Sequence, residues 1–178
     1  MLTTDFSLLS AGEVTASLVV DEVGNSKSAE GNSRGIGNAT DLEFLLWLRA
    51  RSQVVLTSGI TAEAENYKYP ANPELAILSN SKRHYPRLAE SLDKVRFISN
   101  SSFSEAVRKL QEQGFKRIQT EFGETGFQAL ARDQIDCFLS SKSRAGIKQF
   151  LERTGLVAKE TFDLSELQIA RVVGRGRN

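Results

Sequence analysis

The chain has 178 residues, 40% of them apolar and 25% charged, with a formal net charge of +1. That length supports a single domain spanning residues 1–178 with a sizeable core, and the balance is that of a soluble folded protein rather than a disordered tail. Lysine and arginine are scattered along the chain, which excludes the electrostatic footprint of a nucleic-acid binder, and the basic tail RVVGRGRN is too short to supply one.

The longest uncharged apolar run, FLLWL from Phe44 to Leu48, falls far short of the ~20 residues a transmembrane helix needs. The opening stretch MLTTDFSLLSAGE lacks the basic and long apolar regions of a secretory signal. One cysteine, Cys137, builds neither a disulfide framework nor a Cys-rich zinc site, and with one histidine, His84, no metal site is expected. These features fit a reducing, cytoplasmic setting with no membrane and no nucleic-acid partner.

In chain order, EVTASLVV (Glu13 to Val20) is rich in β-branched residues and reads as the first strand. A long polar loop, Asp21 to Asn38, follows; loops of that length inside a compact domain are functional or disordered. ATDLEFLLWLRARS then reads as a helix, with Thr40 and Glu43 in capping-box spacing. Its apolar residues lie almost all round the cylinder, which calls for a sheet below and a second subunit above. QVVL is a strand that ends in TSGIT (Thr57 to Thr61), a small hydroxylated turn opening the next helix.

ELAIL (Glu74 to Leu78) is a short apolar strand, YPRLAESL a short helix with Pro86 in its first turn, and VRFIS a strand. In SFSEAVRKLQEQG, Ser102 and Glu105 repeat the capping-box spacing. Phe103, Ala106, Val107 and Leu110 form its buried stripe, and Gly114 is the C′ stop. KRIQTEF is a strand, GETGFQALARD a helix, QIDCFLSS a strand and RAGIKQFLERTG a helix, and LVAKETFDL with LQIARVV reads as a closing antiparallel pair. Strands alternating with helices predict a largely parallel sheet covered on both faces.

Ligands of open α/β sheets sit beyond the carboxyl ends of the strands. Two such ends, TSGIT and EFGETG (Glu121 to Gly126), place glycine and hydroxyl residues at a helix start, where backbone N–H groups can hold a phosphate. The alternative is that each glycine merely makes a tight strand-to-helix turn. GNSRGIG (Gly31 to Gly37) is glycine-rich, but no G-x-G-x-x-G follows the first strand.

The order VTASLVVDEVG, then GNSRGIGNATDLEFLLWLRARSQVVLTSGITAEAENY, then GFKRIQTEFGETGFQALARDQID resembles the riboflavin-biosynthesis pyrimidine reductase family over roughly Val14 to Ser140. The resemblance implies a dihydrofolate-reductase-like α/β fold, with three α/β/α layers, a mostly parallel central sheet and an antiparallel edge. It further implies NADPH binding and hydride transfer to a ribosylaminopyrimidine phosphate, in a homodimer.

By position, it places Thr61 and Glu65 against the cofactor, Glu65 beside the nicotinamide, and Ala16 under the nicotinamide end. Gly123, Glu124, Thr125 and Gly126 fall in the pyrophosphate loop, and Ser79 near the adenosine phosphate, where Lys82 and Arg83 would add positive charge. Ser33, Arg49 and Glu121 fall on positions facing the substrate, and Glu65 and Glu121 are the proton-donor candidates, with bound water as a third.

Three departures stand out. Val23 takes the place of an expected aspartate, Phe122 and Glu124 replace a glycine and a proline in the phosphate loop, and no arginine follows Tyr69-Pro70. A carboxylate facing a pyrophosphate weakens binding unless it points away. Two other readings therefore stay open: a degenerate relative serving as a binding or regulatory protein, and a reductase of another pterin-like or small carbonyl substrate. His84 in SKRHYP reads as solvated, Cys137 as a buried inert thiol, and Trp47 as core or dimer interface. Arg49 is either a helix C-terminal charge or a clamp on a substrate phosphate.

Overall fold

The computed structural model describes residues 4–164 and 166–175, so the first residues of the opening stretch and the last of the basic tail weighed above lie outside the described residues. Eight runs form strands: β1 (Val14–Val20), β2 (Val54–Ser58), β3 (Glu74–Leu78), β4 (Arg96–Ile98), β5 (Ile118–Glu121), β6 (Asp136–Ser141), β7 (Leu156–Leu164) and β8 (Leu167–Gly174). They make one sheet in the order β4-β3-β2-β5-β1-β6-β8-β7. β1 to β6 pair in parallel, whereas β8 runs antiparallel to both β6 and β7. The expected mostly parallel sheet with an antiparallel edge is what the chain forms.

Helices α1 (Ala39–Ala50), α2 (Gly59–Ala64), α3 (Phe103–Glu112), α4 (Glu124–Arg132) and α5 (Arg144–Thr154) complete three layers. Side chains alternate across a strand, so each strand feeds two cores. Ala16, Leu18, Val54, Leu56, Ala76, Ile118, Cys137 and Leu139 pack with the apolar stripes of α3, α4 and α5. On the opposite face the core is split. Phe138 and Ile169 pack under Phe44 and Leu48 of α1, while Val55, Leu75 and Ile77 pack with Ala62 of α2 and Leu88. Between these two clusters the strands present polar residues: Thr15 Oγ1 donates to Gln119 Oε1 at 2.5 Å, and Gln119 Nε2 donates to Ser17 Oγ at 2.7 Å. Gln119 and Thr15 are buried, and the site described below sits toward the carboxyl end of this polar strip.

Local signals explain most boundaries. Ser102 and Glu105 form the capping box of α3, and Gly114 adopts φ +96° just past its C-cap. The start of α1 differs from the sequence expectation: Asn38, not Thr40, is the N-cap, accepting from the Asp41 N–H at 2.9 Å, because the backbone is already helical at Ala39. YPRLAESL forms a 3-10 helix, Pro86–Lys94, rather than an α-helix. TSGIT is not a free loop either. Thr57 and Ser58 finish β2, Ser58 caps α2 by accepting from the Thr61 N–H, and Gly59 is its first helical residue. Among the described residues no helix is long and apolar enough to cross a membrane.

Candidate active site

A cavity of about 370 Å³ opens at the carboxyl ends of the central strands, walled by α1, by the segment after α2 and by the 21–38 loop. It brings together Ser33, Arg49, Thr61, Glu65, Glu121 and Gly123 of the sequence-predicted residues.

At its wall lies a hydrogen-bonded cluster around Glu121, the last residue of β5, which is 7% exposed. Arg49, near the end of α1, reaches across with Nε donating to Oε1 at 2.8 Å and Nη2 donating to Oε2 at 2.6 Å. The Tyr67 hydroxyl donates to the same Oε2, and the Arg49 guanidinium lies 5.5 Å from the Tyr67 ring centroid. Thr57 Oγ1 fixes the strand end by donating to the Glu121 carbonyl at 2.7 Å. Burial works against the Arg49 charge, but the Glu121 carboxylate outweighs it and holds the guanidinium above its ordinary value. Burial first and the neighbouring Glu121 charge second push the Tyr67 hydroxyl well up. Arg49 stands in the last turn of α1 and lines the cavity, as both readings of it require, and it is in addition a bidentate partner of Glu121. Both carboxylate oxygens of Glu121 are engaged as acceptors.

Glu65 is the C-cap of α2, and its Oε1 accepts from the Ser33 N–H at 2.6 Å, tying the 21–38 loop to that helix. Its other oxygen has no hydrogen bond among the described residues. Thr61 Oγ1 donates to the Phe122 carbonyl at 3.1 Å, which joins α2 to the β5–α4 turn.

That turn contains one of the three departures noted in the sequence, the Phe122 and Glu124 replacements. Gly123 precedes α4 with φ +76°, a conformation glycine favours, and offers no side chain to cap the helix, so the first N–H groups of α4 are uncapped beside Thr61. Phe122 turns into the core, 4.8 Å ring to ring from Phe103. Gly126 is a packing glycine: a Cβ there would come within 2.9 Å of Phe122 Cγ. Glu124 does not line the cavity. Its carboxylate accepts from Ser26 Oγ at 3.1 Å, from Gln128 Nε2 at 3.1 Å and from the Arg153 guanidinium of α5. Thr125 is exposed in the first turn of α4.

Two expected residues lie elsewhere. Ala16 is 2% exposed and points to the α3–α5 side of the sheet, so its side chain does not meet this cavity. Ser79 follows β3 and lines a second cavity with Lys82, Arg83 and Tyr85. Gly59 packs against that segment, since a Cβ there would lie 2.5 Å from Ser79 Oγ and 2.9 Å from the Tyr85 hydroxyl. Arg83 is paired with Glu63 at 2.8 Å.

The cavity also recruits residues that sequence reasoning missed. Tyr67, at the end of the quoted run GNSRGIGNATDLEFLLWLRARSQVVLTSGITAEAENY, carries no role in the sequence reading. Asp41 lines the cavity from the first turn of α1 and accepts from Ser140 Oγ of β6 at 2.5 Å. Burial pushes the Asp41 carboxyl up, and the Ser140 hydrogen bond offsets part of the shift. The two serines ending QIDCFLSS were the available signal, being hydroxyls at a strand's carboxyl end as in TSGIT.

No family model and no curated protein matches the sequence. Solved structures do. A pyrimidine reductase-like protein from Corynebacterium diphtheriae matches with a TM-score of 0.66 at 18% identity, over 93% of this chain and 93% of that one. RibD of Acinetobacter baumannii matches at 0.69 and 16% identity, over 93% of this chain and 59% of its own. The diaminohydroxyphosphoribosylaminopyrimidine deaminase/5-amino-6-(5-phosphoribosylamino)uracil reductase of Thermotoga maritima gives 0.66 and 16%, over 95% and 58%. The chain therefore has the fold of the riboflavin-biosynthesis pyrimidine reductases, as its motifs led one to expect, and spans under three fifths of the last two proteins.

Proposed function

We propose that the chain is an NADPH-dependent reductase that delivers a hydride to a ribosylaminopyrimidine phosphate or a related heterocycle. The observation that carries this reading is the convergence on one cavity of an uncapped α4 N-terminus at Gly123 and the buried Arg49–Glu121–Tyr67 cluster. The residues present fit a dinucleotide. The α4 amides can hold a pyrophosphate, Glu124 is turned toward Arg153 instead of opposing it, and Phe122 leaves the approach open. Glu65 and Thr61 would border the nicotinamide half, and Ser79 with Lys82 the adenosine phosphate. When bound, NADPH supplies the hydride.

The chain's own residues position and enclose. Arg49 and Tyr67 fix Glu121 as a rigid wall for the substrate, and Ser33 is held against Glu65 so that the 21–38 loop covers the site. Glu65, with one oxygen unengaged, is the better placed of the two candidate proton donors. Lys68 and Arg87 at the rim form no ion pair among the described residues and would meet a substrate phosphate in place of the arginine missing after Tyr69-Pro70. Leu42 and Leu46 stand out from α1 at 55% and 51% exposure, a face that a second copy would cover in a homodimer. A cytoplasmic location suits the buried free thiol of Cys137.

Calorimetric titration with NADPH and with NADH tests the reading. Saturable NADPH binding, lost in Thr61→Arg and Gly123→Glu, is the expected result. Absence of heat and of any thermal shift with either cofactor at millimolar concentration would overturn it in favour of a cofactor-free binding protein.

A further inference from the structure

Three side chains of the polar strip form a hydrogen-bond chain that runs one way. Thr15 Oγ1 donates to Gln119 Oε1 at 2.5 Å, and Gln119 Nε2 donates to Ser17 Oγ at 2.7 Å. The amide cannot be turned over, because its nitrogen also faces the Thr120 carbonyl at 3.3 Å, and an oxygen in that place would set acceptor against acceptor. Thr15 is 4% and Gln119 0% exposed, so neither reaches a ligand. Ser17 is the open end of the chain. It is only half-buried, it lines the cavity, and its strand partner Phe138 packs on the α1 side of the sheet, where the cavity lies.

A hydroxyl has one hydrogen to give and lone pairs to accept with. Ser17 accepts from Gln119, which leaves its own hydrogen to be given, and it gives it to no other group among the described residues. The hydroxyl is therefore a donor whose accepting side is pinned by a fully buried amide. One hydroxyl hydrogen matches a neutral carbonyl oxygen, whereas an anion calls for several donors or a cation. Ala16 pairs with Thr120, so the next residues along the two strands are Ser17 and Glu121, and Glu121 already takes up the Arg49 guanidinium.

We propose that Ser17 is the donor that orients a bound ring by a carbonyl oxygen, with Gln119 and Thr15 as the positioning residues that aim its hydroxyl hydrogen. The inference rests on the reductase reading only in taking this cavity as the ligand site. The carbonyl belongs either to the carboxamide of a nicotinamide or to the ring that accepts the hydride, and the same chemistry serves both. A ligand presenting a donor or a methyl group at that point leaves the hydrogen unmatched and is disfavoured.

The test is calorimetric titration of the full chain with two matched pairs: NADPH against its thionicotinamide analogue, and uracil against 2,4-dithiouracil. In each pair sulfur, a weaker acceptor, replaces the carbonyl oxygen. For one pair, the ratio of oxygen to sulfur affinity in the wild type is expected to exceed that in Ser17→Ala by about three- to tenfold, the worth of one neutral hydrogen bond. That pair identifies the source of the carbonyl. Ser17→Thr should keep the wild-type ratio, and Gln119→Met should lower it with the hydroxyl still present. General damage to the fold weakens both members of a pair and leaves the ratio alone, and Ser17→Ala carries the test should Gln119→Met fail to fold. Equal ratios in wild type and Ser17→Ala for both pairs, or no binding of any of the four compounds, overturns the inference. With NADPH bound normally, equal ratios overturn it and leave the reductase reading intact. A Ser17-dependent ratio for the uracil pair, with no NADPH binding to any variant, sinks the reductase reading and leaves Ser17 as the donor.

Discussion

With only the Ser140 hydroxyl to answer it, the Asp41 carboxyl is held by burial above its ordinary value of 3.8, the hydrogen bond offsetting part of that shift. The folded chain therefore keeps this proton longer than the unfolded chain does. Stability tied to Asp41 is greatest at low pH and declines as pH rises from 3.8 through the raised folded value. Asp41→Asn is accordingly expected to raise the melting temperature at neutral pH, and the gain should vanish in scans taken below 3.8. A variant less stable than wild type at neutral pH would contradict this. Glu121 shows the opposite arrangement, because its charge is met by a bidentate guanidinium and a tyrosine hydroxyl. At this scale the sequence was a partial guide. Arg49 and Glu121 were both picked out, yet their pairing was not, because 72 residues separate them and only the placement of β5 beside β2 brings them together. Gly59 and Gly126 looked like phosphate-loop glycines for the same reason: the side chains they make room for are not all neighbours in sequence.

Among the elements, α5 does more than cover the sheet. Its Arg153 pairs with Glu124 at the head of α4 and donates to the Gly24 carbonyl at 2.9 Å, so one side chain ties the 21–38 loop, the β5–α4 turn and α5 together. Burial opposes the Glu124 charge, but the bonds from Arg153 and Ser26 outweigh it and hold the carboxyl below its ordinary 4.5. For a depressed acid the contribution is complete above 4.5 and fades as pH falls through the lower folded value. Arg153→Met should shrink that acid-side dependence, leaving the part owed to Ser26, and speed hydrogen exchange at Asn25, whose N–H is held by Asp21. Unchanged exchange would show that the loop is held by other contacts. Element positions were well read from hydrophobic periodicity and from capping pairs such as Ser102 with Glu105. The α1 start was misread because Thr40 and Glu43 copy the capping spacing while Asn38 does the capping.

For the whole molecule, the alternation of strands and helices foretold the layers, but not the polar gap between the two cores of one face. That gap depends on β5 lying between β2 and β1, which sets Gln119 against Thr15 and Ser17, and strand order is not written in any single segment. The apolar exterior of α1 was legible, since FLLWL has more apolar residues than one buried face uses. Leu42 and Leu46 are exposed here, whereas Phe44 and Leu48 are buried. If a second copy covers that face, sedimentation should return twice the 19.7 kDa of one chain for the wild type and a single chain for a Leu42→Glu, Leu46→Glu double variant. A wild type that sediments as one chain at every concentration would rule the dimer out.

The final strand, β8, is an interior one, seated between β6 and β7. During synthesis on the ribosome, β6 therefore emerges with a bare margin that stays open until a further helix and two strands have followed it. Ser140, which holds Asp41 in the cavity wall, pairs with Ile169 across that margin. The nascent chain cannot finish its own pocket before the last hairpin folds back, and a chain clipped by a protease ahead of β8 would display an unpaired edge prone to recruit other chains.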